Sequence, residues 1–263
     1  MTEPKGAILS DLTWPEVEPW LAAPVIVPVG AAAKEHGPHL PMGTDAIVAD
    51  ALARRLAARL PVLVAPTLTL GYYPVFRGFA GSQHLRAETF VAVVEDVLRG
   101  FVAQGAEHLV LLNTGVSTEA PLGLAVQNVF DETGVRPAIA DLRLLGKAAA
   151  GLMRQRGGGH ADEAETSLML ALAPALVRFA KAPAYGEPDM PSPPGFRRPI
   201  RFRSDAAAPL PDRWPTGTSG EPQRATLAKG EAILAAILAD LEAGLRQWFP
   251  AALAAGATCG SAG

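Results

Sequence analysis

Residues 23–30 read APVIVPVG and residues 108–113 read HLVLLN. Both runs are short and apolar, with no polar residue at alternate positions. A strand of that kind is buried on both faces, which is the mark of a parallel sheet covered by helices on either side. Two related runs follow the same logic, PVLVAPTLTLGY at 61–72 and RPAIADL at 136–142. Helical periodicity fills the intervals. From Asp45 the chain reads DAIVADALARRLAARL, with Val48, Leu52 and Leu56 one turn apart and Thr44 or Asp45 as the N-cap. Residues 86–106 and 121–134 read as helices closed by Gly105 and Gly134. A helical stretch is expected to run on to Arg156, and two more helices are expected at 161–174 and 229–249. This alternation predicts a three-layer α/β/α fold with a mostly parallel central sheet. No internal repeat divides residues 1–263, so one domain is expected. Residues 183–222 hold ten of the 24 prolines, and that density of fixed φ angles predicts an ordered wrap or loop.

Composition narrows the function. Net charge is −3 at pH 7, which gives no electrostatic case for nucleic acid or an anionic membrane surface. Cys259 is the single cysteine, so disulfides and thiolate zinc sites are excluded. The N-terminal residues lack a basic segment followed by an apolar core, and no stretch is long and apolar enough to span a membrane. A cytoplasmic protein acting on a small molecule is expected.

In a parallel sheet, ligands sit beyond the carboxyl ends of the strands. Three segments fall there: KEHGPHLPMGTD at 34–45, NTGVST at 113–118 and GGGHADEAE at 157–165. The first gathers Glu35, His36, His39 and Asp45 in one loop. Imidazole and carboxylate are the donors that zinc, manganese and iron use in hydrolases. His160 follows three glycines, where backbone approaches a ligand closely. Glu165 shares a helix face with Leu168, Met169 and Leu172, so it needs a cation, a metal or a donor as partner. Glu163 is expected only to favour the helix N-terminus, and His84 and His108 to be structural. Lys34 is read as solvated or ion-paired, or as a contact for an anionic group on the substrate.

These segments resemble the creatininase (creatinine amidohydrolase) family: VPVG followed by EHGPHLPMGTD, HLVLLN with its glycine turn, HADEAETSLMLAL, and GTSGEPQRATLAKGEAIL at 217–234. The resemblance implies a creatininase-like α/β fold, usually a hexamer, with one or two divalent metals and hydrolysis of C–N amide bonds. It implies that His36 and Asp45 are metal ligands, that His160 is the general acid or base, and that Glu165 is the acid of the family's ETS motif. Two departures stand out. The family places a ligand glutamate two positions before the first histidine, where this chain has Lys34 and offers Glu35 instead. The family's third turn, N-G-H-G-G-N, carries a metal-binding histidine where this chain has Gly115. The expectation is therefore one divalent ion held by Glu35, His36 and Asp45, with a second possible, and with His39, Thr114, Ser117 and Lys34 as substrate contacts. Residues 136–159 contain no aromatic residue but carry Arg143, Lys147, Arg154 and Arg156, which points to an anionic amide rather than creatinine. Two other classes remain open: a family member that binds without catalysis, and a doubly wound nucleotide or sugar-phosphate binder, to which GAAAKEHG is a poor match.

Overall fold

In a computed structural model of the chain, the structure describes residues 5–184 and 215–259. Five strands form one sheet: β1 (Ala7–Ile8), β2 (Val25–Val29), β3 (Leu63–Val64), β4 (Leu109–Asn113) and β5 (Ala138–Asp141). Their order is β1-β3-β2-β4-β5 and every pairing is parallel. β2 lies at the centre, with Val25 opposite Leu109 and Val29 opposite Asn113. The helices are α1 (Trp14–Val17), α2 (Thr44–Ala57), α3 (Ala87–Ala103), α4 (Glu119–Thr133), α5 (Glu163–Leu172), α6 (Leu227–Trp248) and α7 (Pro250–Cys259).

Successive strand residues point to opposite faces, and the two cores follow that rule. Ile26, Val110 and Leu112 pack with Leu52 and Leu56 of α2, Leu168 and Met169 of α5, and Leu238 and Leu241 of α6. Val25, Val27, Leu109 and Leu111 pack with Phe90, Val94 and Leu98 of α3 and Leu122 and Val129 of α4. This is the three-layer α/β/α arrangement with a parallel sheet. No helix among the described residues is long and apolar enough to cross a membrane.

Several local expectations need correction. β3 is only two residues long, although Leu68 makes a further bridge to Val29. Gly43, not Thr44 or Asp45, precedes the first turn of α2. Thr44 donates its hydroxyl to Pro41 O at 2.7 Å, and Asp45 caps nothing. The stretch leading to Arg156 holds only two 3-10 helices, Leu142–Leu144 and Lys147–Leu152, the second entered through Gly146 at φ 69°. β1 was too short to show a period. Pro250 does not end the helical structure but opens α7, since a first-turn residue needs no N–H. Most of the proline-rich segment, residues 185–214, lies outside the described residues.

Candidate active site

The loop after β2 carries the first cluster. Residues two apart in extended chain point the same way, and here Lys34 and His36 both face Asp45 at the start of α2. Lys34 Nζ lies 2.6 Å from Asp45 Oδ2, and His36 Nε2 lies 2.9 Å from Asp45 Oδ1. His36 Nδ1 is 3.0 Å from Lys34 O. A carbonyl only accepts, so Nδ1 carries the hydrogen. All three side chains are buried. Burial alone would push the Asp45 carboxyl up, but the Lys34 ammonium and His36 outweigh it and hold it well below the usual carboxylate range.

Glu35 points the other way. Its Oε2 is 3.0 Å from His160 Nε2, its Oε1 accepts the Gly37 N–H, and its own N–H donates to Ser82 Oγ at 3.1 Å. Gly217, at φ 62°, faces this carboxylate, and a Cβ there would fall 2.0 Å from Glu35 Oε1. The family-like glycine turn therefore exists in part to let the acid approach. Burial pushes the Glu35 carboxyl up to about 7, against the Gly37 N–H, His36 and Lys34. Burial also pushes His160 down to about 3, with His36 acting in the same direction. At neutral pH a neutral imidazole thus faces a carboxyl near its midpoint.

His160 is held from both sides. Its carbonyl accepts the Ser219 N–H at 2.9 Å across an isolated antiparallel bridge. Ala161 takes φ 48°, a left-handed conformation that costs a non-glycine residue about 1–2 kcal/mol. That conformation aims the Ala161 N–H at Glu165 Oε2, 2.6 Å away. Asp162 caps α5 by accepting from the N–H groups of Ala164 and Glu165. The result brings ligand atoms of His36, His160 and Glu165 within 4.8 Å of one another.

The residues singled out in the sequence are thus divided. Lys34, His36 and Asp45 form one group; Glu35 joins His160 instead. His39 is fully buried, with Nε2 2.8 Å from Thr166 Oγ1 and Nδ1 without a hydrogen-bond partner among the described residues. Burial lowers its pKa to about 4, helped by His160 and His36. The Thr114 hydroxyl is spent on the carbonyls of Val29 and Asp45. Ser117 lines a narrow cleft together with Lys34, Asp45, Tyr72, Tyr73 and Gly115. The cations of residues 143–156 lie at the surface, and of the candidates for an anionic group only Lys34 lines the cleft. Arg143 pairs with Glu119 and Arg156 with Glu221, both arginines at the surface.

Three contributors escaped the sequence reading. The Phe76 ring centroid is 4.5 Å from that of His160 and 5.1 Å from Lys34 Nζ. Tyr73 ties the same loop down by donating to Gln83 O and Ala33 O. The signal was GYYPVF at 71–76, an aromatic cluster beyond the carboxyl end of a strand. Glu163 is not a surface residue favouring the helix start. It is fully buried, paired with Lys229, and accepts the N–H groups of Arg154 and Gln155 at 2.8 and 2.7 Å. A larger apolar groove of about 640 Å³, lined by residues including Ala138, Leu241 and Trp248, holds none of these residues.

Paired histidines and carboxylates beyond the carboxyl ends of a parallel sheet are the setting of an enzyme site on a three-layer α/β/α fold. The chain belongs to the creatininase family: the family model for creatininase, creatinine amidohydrolase, matches residues 10–245. It is 29% identical to a creatinine amidohydrolase of Pseudomonas putida, over 94% of this chain and 98% of that one. It is 31% identical to a mycofactocin precursor peptide peptidase of Mycobacterium tuberculosis, over 86% of each chain. A solved mutant creatininase of Zn-Zn type superposes with a TM-score of 0.80 at 26% identity, covering 92% of this chain and 98% of that one.

Proposed function

We propose that this chain hydrolyses a C–N amide bond in a small polar molecule, of cyclic amide or formamide type, with one divalent ion (zinc, manganese or iron). The observation that carries this reading is the convergence of His36, His160 and Glu165 donors within 4.8 Å. Two imidazoles and a carboxylate suit such ions. The outer contacts also fit: His36 Nδ1 on a backbone carbonyl and His160 Nε2 on Glu35 are the hydrogen bonds that orient metal-binding imidazoles. A divalent ion there would polarise a carbonyl and acidify water.

The remaining chemistry belongs to the chain. Glu35, near its midpoint at neutral pH, takes a proton at Oε2 and gives it up to a departing nitrogen, with His160 fixing its orientation. Phe76 packs on His160 and keeps water from its ring. Tyr72 and Tyr73 wall the cleft beside Asp45. The same reading takes the protein to be a cytoplasmic homo-oligomer, six copies by resemblance, which light scattering checks.

The test is hydrolysis of a panel of cyclic amides, formamides and short peptides by zinc- or manganese-loaded protein. Turnover that chelation abolishes and metal restores is expected. A metal-loaded chain that cleaves none of them favours the second reading, a family member that binds without turnover. The observation on that side is the Lys34–Asp45 pair beside Gly115, where the resemblance places two ligands.

A further inference from the structure

We infer that the Lys34 ammonium is a chain-borne cation standing where a second metal ion would bind, so that this centre takes one divalent ion and not two. The inference rests on the reading of His36, His160 and Glu165 as the donors for the one ion.

Lys34 is where lysine rarely goes, 6% exposed in the interior of a loop at the carboxyl end of the central strand. A buried ammonium is costly unless its charge and its hydrogens are met. This one is met as a cation site would meet it. Asp45 Oδ2 lies at 2.6 Å and the face of Phe76 at 5.1 Å. Asp45 is also the carboxylate that the family resemblance puts in the bridging position between two ions. Here one oxygen faces His36 and the other faces Lys34.

An ion bound to Asp45 Oδ2 would sit about 2.0–2.2 Å from that oxygen. The ammonium nitrogen at 2.6 Å leaves no room for it on that side, and its charge repels a divalent ion at such range. The main chain that carries Lys34 is anchored on both sides. Its N–H is fixed to Met42 O at 3.1 Å and its carbonyl holds His36 Nδ1. The donor count agrees. Position 34 brings a cation where a carboxylate would coordinate. Position 115 brings no side chain at all, with the Thr118 hydroxyl 3.0 Å from where a Cβ would stand. Two donors are gone and one positive charge is supplied, while the His36, His160 and Glu165 group remains whole.

The experiment counts ions. Full-length protein purified without chelator is dialysed against zinc, and zinc per chain is measured by elemental analysis, with affinities from calorimetric titration. The wild type is expected to hold one zinc. Lys34→Glu removes the ammonium and supplies a carboxylate, and should bind a second zinc at least tenfold more tightly than the wild type does. Lys34→Met has similar length and no charge, and should tighten the second site by a smaller factor. It keeps the test open if Lys34→Glu does not fold, as judged by circular dichroism. Two tightly held ions in the wild type overturn the inference, and so does a second affinity unchanged in both folded variants. A wild type with no zinc and a Lys34→Glu variant with one would uphold the role of Lys34 while overturning the single-ion hydrolase reading.

Discussion

Lys34 Nζ stands 2.6 Å from Asp45 Oδ2, with both residues buried and His36 on the second carboxylate oxygen. A pair of this kind is worth little relative to an apolar isostere, yet removing one member leaves the other charged and unmatched. Lys34→Met and Asp45→Asn should each cost about 3–5 kcal/mol in the metal-free protein. The double variant should cost less than the sum by at least about 1 kcal/mol, because residues in contact do not add. Urea denaturation of the four proteins measures this cycle. Additive losses would show that the pair is not a thermodynamic unit.

Glu35 gives a pH signature of definite sign. Its folded pKa of about 7 exceeds the ordinary value of 4.5. Between those values the folded chain holds the extra proton, so stability falls as pH rises. The contribution is complete below about 4.5 and lost through about 7, with a full size on the order of 3 kcal/mol. His39 and His160 have lowered values, so their contribution is instead lost as pH falls below about 6.5. Glu35→Gln separates the two trends. Relative to wild type, the metal-free variant should gain stability from pH 5 to pH 8 in urea unfolding. A flat difference across that range would sink the assignment.

Much of this molecule was legible in its sequence, and the boundary has a physical cause. Unbroken apolar runs such as 25–29 and 109–113 can be stable only as strands buried on both faces, so the layers and their parallel sense followed. The loop at 34–45 announced itself by its charge density. What the loop could not announce was its division. Strand-like alternation turns Lys34 and His36 toward Asp45 and Glu35 toward His160, and only the glycine turn at 217 decides that the second direction has room. Glu163 was hidden for a related reason. Its partners Lys229, Arg154 and Gln155 come from other segments, and no local pattern reports them.

That buried carboxylate should act as a brace for the segment leading to His160. Glu163→Ala leaves the N–H groups of Arg154 and Gln155 without their acceptor and the Lys229 ammonium with the Arg224 carbonyl but no carboxylate, and should cost about 3–5 kcal/mol. Hydrogen exchange gives the finer check. The amides of Arg154 and Gln155 should lose protection while those of β2 and β4 keep theirs. Uniform loss across the sheet would mean a global defect and not a local brace.

The roles of His160 and Glu35 separate most sharply when ion content and turnover are read together. The sequence resemblance casts His160 as the proton carrier, which predicts a His160→Ala variant that keeps its metal. The proposed function assigns the roles differently: it takes His160 with His36 and Glu165 as a donor, and Glu35, 3.0 Å from His160 and pushed up to about 7 by burial, as the proton carrier. His160→Ala should therefore lose both ion and activity. Glu35→Gln should retain the ion, since the amide still hydrogen-bonds the imidazole, and lose about 10²- to 10⁴-fold in kcat, the usual size of a general acid–base contribution. The rising and falling limbs of kcat against pH should also change in Glu35→Gln, with the limb near pH 7 removed. A His160→Ala protein that holds a full complement of zinc would return the proton-carrying role to His160 and leave Glu35 as its orienting partner.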